Sequence, residues 1–498
     1  MKSMAIRQTV KHYINGSFVS SRNGGSFADL SPIDNSVIAQ VSAGDTADID
    51  EAVAAAANTF QTGEWSRIPP GDRSNVLMEI AEGIEANSEE LAKIETLDTG
   101  IPLRQTKGQI ARAAENFRFF AGMAIKISGR SFPFRGQFLN YTEMRPAGVA
   151  GLITPWNTPL MLETWKIAPC LAAGDTCVLK PAEWSPLSAS KLAEIISRTS
   201  LPKGAFNVVQ GLGETAGSSL VANRNVRLIS FTGETITGKE IMRNGASSLK
   251  RFSMELGGKS PAVVFDDADM DRALDAVVFG VYSLNGERCT ANSRLLLQDT
   301  IYDDFVESLT DRVNAIKVGD PFDEETELGP LIHPEHWKRV MSYVTSGMKE
   351  GAKLLAGGRR PSQFGKGNFL EPTLFGNVER SMKIAREEIF GPVLSVMKFS
   401  DEEEAIAVAN DVEYGLASYV WSRNVERAHR VASALDVGMC WINSHNVRDL
   451  RTPFGGSKSS GIGREGGTYS FDFYMEEKTV HVALGNNSIP VFGRMPAK

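Results

Sequence analysis

The sequence predicts an α/β protein with two domains, each built on a mostly parallel sheet. Three observations carry this. The chain has 498 residues, more than one hydrophobic core usually fills. From Gly148 onward, short apolar runs alternate with longer amphipathic ones, as in parallel strands joined by crossover helices. The alternation then begins a second time after Gly258.

In the first series the strand candidates are residues 148–153, 176–179, 205–209 and 226–231. Helices are expected between them, one opened by Ser185 as cap with Pro186 in its first position. The second series comprises strands at 261–265 and 294–297, helices starting at Asp269 and Tyr302, and strands at 416–420 and 437–442. Residues 131–145 interrupt the first series with prolines and Gly136, and 469–482 alternate like a strand near the end. Isolated strands are marginal alone, so these two pieces predict an arm that pairs with another subunit.

Composition narrows the function. Lys and Arg total 53 against 60 Asp and Glu, a formal charge of -7, which disfavours a nucleic-acid partner. The longest apolar stretch, 273–284, is broken by Asp275 and Gly280 and is too short to span a bilayer. The first sixteen residues lack the apolar core of an export signal. Four cysteines in so long a chain form neither a disulfide framework nor paired zinc-ligand spacings, so no metal and a cytoplasmic setting are expected.

Among the cysteines, Cys170, Cys177 and Cys440 sit in apolar surroundings and read as buried small hydrophobes. Cys289, in Asn-Gly-Glu-Arg-Cys-Thr-Ala-Asn, has the polar flank that a reactive thiolate needs, although the same sequence also suits a packed thiol. Glu255 stands at an apolar strand end before Gly257 and Gly258. It can cap a turn or pair with Lys259; partly desolvated, it can instead serve as a general base.

The ordered set Thr154-Pro155-Trp156-Asn157, Lys180-Pro181-Ala182-Glu183, Ser230-Phe231-Thr232-Gly233, Glu255-Leu256-Gly257-Gly258-Lys259, Gly286-Glu287-Arg288-Cys289 and Glu387-Glu388-Ile389-Phe390-Gly391-Pro392 resembles the aldehyde dehydrogenase family from about Tyr13 to the end. The resemblance implies a Rossmann-like cofactor domain (1–127 and 146–257), an α/β catalytic domain (258–457) and a β oligomerisation arm (128–145 and 468–498), assembled as a homodimer or homotetramer. It implies Cys289 as nucleophile, Glu255 as general base, Asn157 as oxyanion donor and Lys166 beside the cofactor ribose and the catalytic acid. Thiolate attack on an aldehyde creates an alkoxide, which the Asn157 amide and the Cys289 N–H stabilise. The resulting thiohemiacetal loses hydride, and water activated by Glu255 hydrolyses the thioester.

For the cofactor, the resemblance places Ile153, Thr154, Pro155, Trp156, Gly213, Gly217, Phe231, Gly233 and Leu256 around it. Lys180 and Glu183 hold the adenosine ribose, and Glu388 and Phe390 the nicotinamide side. The stretch Gly233 to Gly238 follows a predicted strand and opens a helix, so its N–H groups are expected to face a pyrophosphate. A carboxylate at Glu183 suits a 2′-hydroxyl and repels a 2′-phosphate, favouring NAD over NADP. Glu234, where the family mostly has serine, is an unexpected acid at this point.

Arg112 and Arg451 match positions that bind a remote carboxylate in one branch, the semialdehyde dehydrogenases of aromatic ring cleavage. Guanidinium forks hold carboxylates bidentately, so the expected substrate is a carboxylate-bearing semialdehyde. Betaine aldehyde or general aldehydes are the alternative. Relatives that pass the acyl group to coenzyme A tend to lack the acid matching Glu255, and a non-catalytic scaffold would have no use for Cys289, Glu255 and Asn157 together.

Overall fold

A computed structural model describes residues 9–134 and 136–493. Outside them lie the first eight residues, half of the stretch read as lacking an export signal, position 135 of the predicted excursion, and the last five residues of the tail.

Among the described residues the first series forms an eight-stranded sheet in the order Gly461–Ile462, Arg251–Glu255, Val226–Thr232, Val149–Ile153, Thr176–Lys180, Phe206–Val208, His12–Ile14, Ser17–Val19. The five central strands are parallel, and antiparallel strands close both edges. After Val149–Ile153 the chain winds outward through Thr176–Lys180 and Phe206–Val208, then returns to add Val226–Thr232 on the other side. This reversal leaves a crevice beyond the carboxyl ends of Val149–Ile153 and Val226–Thr232, where open α/β sheets bind ligands.

The second series forms a seven-stranded sheet: Lys353–Ala356, Thr373–Gly376, Val393–Phe399, Arg294–Gln298, Pro261–Val264, Ala417–Trp421, Met439–Ile442, parallel except for the first. Its central strands are apolar almost throughout, as burial on both faces requires. Asp269 caps the helix Met270–Tyr282 through a bond from the Arg272 N–H at 3.3 Å, as expected.

Two expectations, the cap at Ser185 and the strand over 469–482, are corrected. Ser185 does not cap its helix: Leu187–Ile196 begins after Pro186, the Leu187 N–H is taken by Asp98 Oδ2 at 3.0 Å, and the Ser185 hydroxyl is buried without a partner among the described residues. Residues Tyr469–Tyr474 are a short helix and only Met475–Ala483 is a strand. The two detached pieces find each other within one chain: Met475–Ala483 pairs with Phe138–Pro146 over nine positions, and Ser131–Phe134 adds a third strand.

Candidate active site

The nucleophile candidate is delivered by a strained turn. After the helix Met270–Tyr282, Leu284, Asn285 and Gly286 take φ values of 52°, 57° and 73°, in the left-handed region. Such positions cost on the order of 1–3 kcal/mol each for non-glycine residues and persist where surroundings enforce them. Here the enforcement is visible: Asn285 donates to the Pro330 carbonyl at 3.0 Å and accepts from the Gly329 N–H at 2.8 Å, while Gln105 Oε1 accepts from the Leu284 N–H at 2.7 Å. The turn releases Glu287, Arg288 and half-buried Cys289 toward the crevice.

A cleft of about 420 Å³ is lined there by Cys289 and by residues at the ends of three parallel strands: Pro155, Trp156 and Asn157 after Val149–Ile153, Gly233 after Val226–Thr232, and Leu256 after Arg251–Glu255. Glu388 and Phe390 complete the opposite wall. Gly257 and Gly258 are small for a reason that the geometry supplies. A Cβ at Gly257 would collide with Glu388 Oε2, and one at Gly258 with the Cys289 carbonyl.

Asn157 Nδ2 donates to the Glu287 carbonyl at 2.8 Å, which orients the amide and leaves its second N–H free. Among the described residues the Cys289 backbone N–H has no acceptor. Glu255 is buried at its strand end, and burial, then the charge of Glu465, lifts its carboxyl well above the usual range. Lys166, Arg464 and Arg448 oppose that shift. Burial, reinforced by the carboxylates of Glu255 and Glu388, pushes the Cys289 thiol up to about 12. The polar flank therefore does not stabilise a resting thiolate, contrary to the reading of its neighbours; Arg288 and the Thr290 N–H act in that direction but are outweighed. A base is required, and of the two carboxyls within electrostatic reach, Glu255 and Glu388, Glu255 is the more buried and has the larger effect on the thiol.

Lys166 is neither a surface residue nor part of the cleft lining. It is fully buried on the helix Pro159–Ala173, where its ammonium donates to Glu465 Oε1 and Ser230 Oγ, both at 2.9 Å. It influences Glu255 by charge.

Lys180 and Glu183 are joined at 2.8 Å, and Ile153 stands in register with Lys180 across the sheet. Burial alone would raise the Glu183 carboxyl, but Lys180 and the Gly213 N–H hold it below its ordinary range. Gly213 and Gly217 bound a wide helical turn beside this pair. Phe231 is buried beneath Gly233, and Thr154 is buried with its N–H on the Lys180 carbonyl at 3.2 Å. The strand–turn–helix expected around Gly233 is present, but the Gly233 N–H is used by the Glu255 carbonyl at 3.0 Å. The first turn of the helix Thr235–Gly245 retains free amides. Glu234 stays on the cleft wall, where it pairs with Arg339 of the helix Pro334–Lys349.

Glu388 accepts from the Gly258 N–H at 2.8 Å, and burial raises it to about 7 despite that bond. Phe390 sits at φ 58°, its ring edge-on to Trp156 at 5.1 Å and its carbonyl 2.7 Å from His336 Nε2. His336 and Arg339 line the cleft, and nothing in their local sequence marks them.

On the remaining side the structure brings Arg112 within electrostatic range of Arg288 and Arg448. Arg112 is exposed on the helix Leu103–Ala124 and has no hydrogen-bond or ion-pair partner among the described residues. Arg451 is not brought to the cleft: it is exposed and held bidentately by Asp449, Nε to Oδ1 at 2.9 Å and Nη2 to Oδ2 at 2.5 Å. Cys440 is half-buried and lines a second cavity, unlike fully buried Cys170 and Cys177.

A thiol, an amide donor and a buried carboxyl at the carboxyl ends of a doubly wound sheet are the groups that covalent oxidation of an aldehyde calls for. The chain belongs to the aldehyde dehydrogenase family, whose model matches residues 18–480. It is 47% identical to 5-carboxymethyl-2-hydroxymuconate semialdehyde dehydrogenase of Escherichia coli over 93% of this chain and 98% of that protein. It is 44% identical to betaine aldehyde dehydrogenase of Bacillus subtilis (strain 168), over 94% and 96%. Among solved structures, HpcC from Thermus thermophilus matches with a TM-score of 0.96 and 54% identity, covering 98% of this chain and 96% of that one. The NAD+ complex of betaine aldehyde dehydrogenase from Staphylococcus aureus matches at 0.95 and 39%, covering 97% of both. Among the described residues no helix is long and apolar enough to cross a membrane, and no cluster of three metal-ligating side chains occurs.

Proposed function

We propose that the protein oxidises a carboxylate-bearing semialdehyde, such as a hydroxymuconate-type ring-cleavage product, to the acid, with NAD preferred over NADP. The observation that carries this reading is the meeting of Cys289 and Asn157 in one cleft, with the buried Glu255 carboxyl within electrostatic reach of the thiol and Arg112 close to Arg288 and without a partner among the described residues. Glu255 takes the Cys289 proton. The thiolate adds to the aldehyde carbon, and the alkoxide receives hydrogen bonds from the second Asn157 N–H and the Cys289 N–H. Bound NAD supplies the hydride acceptor. Glu255 passes the thiol proton to solvent, takes a proton from the water that attacks the thioester and returns it to the departing Cys289 sulfur, and the acid formed ionises to the carboxylate.

The residues present suit that cofactor. The Lys180–Glu183 pair offers a donor and an acceptor to ribose hydroxyls, while the Glu183 charge opposes a 2′-phosphate. Trp156, Leu256, Glu388 and Phe390 would form the wall for the reactive end, and the first amides of Thr235–Gly245 would donate to its anionic groups. Ile153, Thr154, Pro155, Gly213, Gly217, Phe231 and Gly233 shape the backbone around these groups.

Arg112 receives the remote carboxylate in this reading, and Arg451 joins it only by exchanging Asp449 for the substrate. Cationic betaine aldehyde would meet repulsion from Arg112. The division into 1–127 with 146–257, 258–457, and 128–145 with 468–498 is supported by membership of the eight-stranded, the seven-stranded and the arm sheet, three of the five sheets among the described residues; Gly461–Ile462, between the last two segments, extends the cofactor sheet. The open outer edge of Met475–Ala483 and the exposed Phe132, Leu139 and Val482 support a homodimer or homotetramer built through the arm. Four free thiols support a reducing, cytoplasmic setting.

The test is NADH formation with NAD across hydroxymuconate-type semialdehydes, betaine aldehyde and neutral aliphatic aldehydes. The semialdehydes are expected to have the highest kcat/KM. Betaine aldehyde as the best substrate would refute the reading.

A further inference from the structure

We propose that Glu287 is a positioning residue: its buried side chain fixes the turn that carries Cys289 to the segment entering the helix Pro334–Lys349, and its carbonyl fixes the Asn157 amide to the same turn. This rests on Cys289 and Asn157 as nucleophile and oxyanion donor.

Glu287 closes the strained turn, its N–H on the Leu284 carbonyl at 2.9 Å, and stands two positions before the thiol. The polar flank of Cys289 suggests an exposed acid at this point, yet Glu287 is fully buried. Its Oε1 accepts from the Ile332 N–H at 3.0 Å. Ile332 is buried as well, so this amide cannot turn to water instead. Together with the bonds from Asn285 to Gly329 and Pro330, two side chains of one turn grip one neighbouring segment at three points. Glu287 Oε2 is buried without a partner among the described residues. A carboxylate is costly in that setting and a neutral acid much less so; burial lifts this carboxyl well above its usual range, against the Ile332 N–H.

The segment so held leads directly to the wall of the cleft. His333 caps the helix Pro334–Lys349, accepting from the Glu335 N–H at 3.3 Å. His336, in the first turn, has its Nε2 3.6 Å from Glu287 Oε1 and 2.7 Å from the Phe390 carbonyl. Burial drives His336 down to about 4, so the imidazole is neutral and its Nε2–H donates to Phe390. The same ring stands edge-on to Trp156 at 4.9 Å. Glu287 therefore meets, through its side chain, the element that packs on Trp156 and Phe390, and, through its carbonyl, Asn157 Nδ2 at 2.8 Å.

Past the thiol the chain is pinned as well: the Thr290 carbonyl accepts from the buried Tyr419 hydroxyl at 2.7 Å. Cys289 thus hangs between two fixed carbonyls, those of Glu287 and Thr290. A direct proton-transfer role for Glu287 does not fit, since its carboxyl is engaged by Ile332 and the carboxyls with the largest effect on the thiol are Glu255 and Glu388. Displacing a reacting group by about 1 Å costs on the order of 100-fold in rate, which is the scale of effect that losing this anchor carries.

The experiment uses the full-length protein with NAD and butanal, a neutral aldehyde, so that the result is independent of the substrate's charge. E287M keeps the volume but removes the acceptor, and kcat should fall roughly 10- to 100-fold with both KM values within about 3-fold of wild type. E287D, whose shorter side chain does not reach Ile332, should lose roughly 10-fold and guards against a misfolded E287M. E287Q retains the acceptor and should rescue kcat to within about 3-fold of wild type. Because Glu287 acts in part through Asn157, adding E287M to N157A should lower kcat by a smaller factor than E287M does alone. Hydrogen exchange read by mass spectrometry, on the protein without substrate, should show residues 284–290 and 329–336 losing protection roughly 10-fold in E287M and not in E287Q. A wild type that forms no NADH would refute the reading of the site itself, while the exchange result still decides the anchor. Wild-type kcat in E287M and E287D, a defect in E287Q equal to that of E287M, fully multiplied losses in the double variant, or unchanged exchange in E287M would each overturn this inference.

Discussion

Asn157 Nδ2 donates a 2.8 Å hydrogen bond to the carbonyl oxygen of Glu287, in the same strained turn that presents Cys289. One bond thus ties the oxyanion donor to the nucleophile, across residues far apart in sequence. Asn157→Ala removes the donor and the tie, and kcat should fall about 10²–10³-fold with a much smaller change in KM. Steady-state kinetics check this; a loss confined to KM would show that Asn157 serves ground-state binding.

The position of the thiol gives a pH prediction. With Cys289 pushed up to about 12, raising the pH through the neutral range increases thiolate without saturation. Alkylation of Cys289 by iodoacetamide in the cofactor-free protein should climb about tenfold per pH unit from pH 7 to 9. A plateau below pH 9 would mean that the resting thiol is already ionised.

Lys166 and Glu465 form a buried pair at 2.9 Å, and removing one partner leaves the other as an uncompensated charge. Lys166→Met should destabilise the protein by about 3–5 kcal/mol, and adding Glu465→Gln should recover part of that loss. Urea unfolding of the single and double variants measures both. A cost below about 1 kcal/mol for Lys166→Met would contradict the buried-pair account.

Glu183, paired with Lys180, is the group that opposes a 2′-phosphate. Glu183→Gln should lower the NAD-to-NADP ratio of kcat/KM at least roughly 10-fold, since a repelling charge is lost while an acceptor is kept. An unchanged ratio would move cofactor selection elsewhere.

What is legible in the sequence follows from which forces are local. Parallel strands such as Val149–Ile153 and Pro261–Val264 declare themselves as short apolar runs, because a strand buried on both faces has no polar side. The motif residues Pro155, Trp156, Asn157, Gly233, Leu256, Cys289, Glu388 and Phe390 do meet in one cleft. Tyr469–Tyr474 reads as strand because six residues cannot separate a period of 2 from one of 3.6; Phe471 and Tyr474 are buried on one helical face. Lys166 finds Glu465 299 positions away, and Glu234 finds Arg339 105 positions away, relationships that exist only once the sheets are assembled. Arg448 is hidden behind Arg451 because both lie in one polar stretch; only folding turns the first inward and leaves the second with Asp449.

The central claim is a thioester on Cys289 that Glu255 helps water to resolve. Glu255→Gln mixed with NAD and succinic semialdehyde, quenched and analysed by intact-protein and peptide mass spectrometry, tests it directly. Because Glu255 also takes the thiol proton, the account predicts that NADH forms slowly, up to one equivalent of enzyme, and that an acyl adduct builds up on Cys289 and is lost more slowly still. Continued NADH turnover without an adduct, or an adduct that persists in Cys289→Ala, would contradict it.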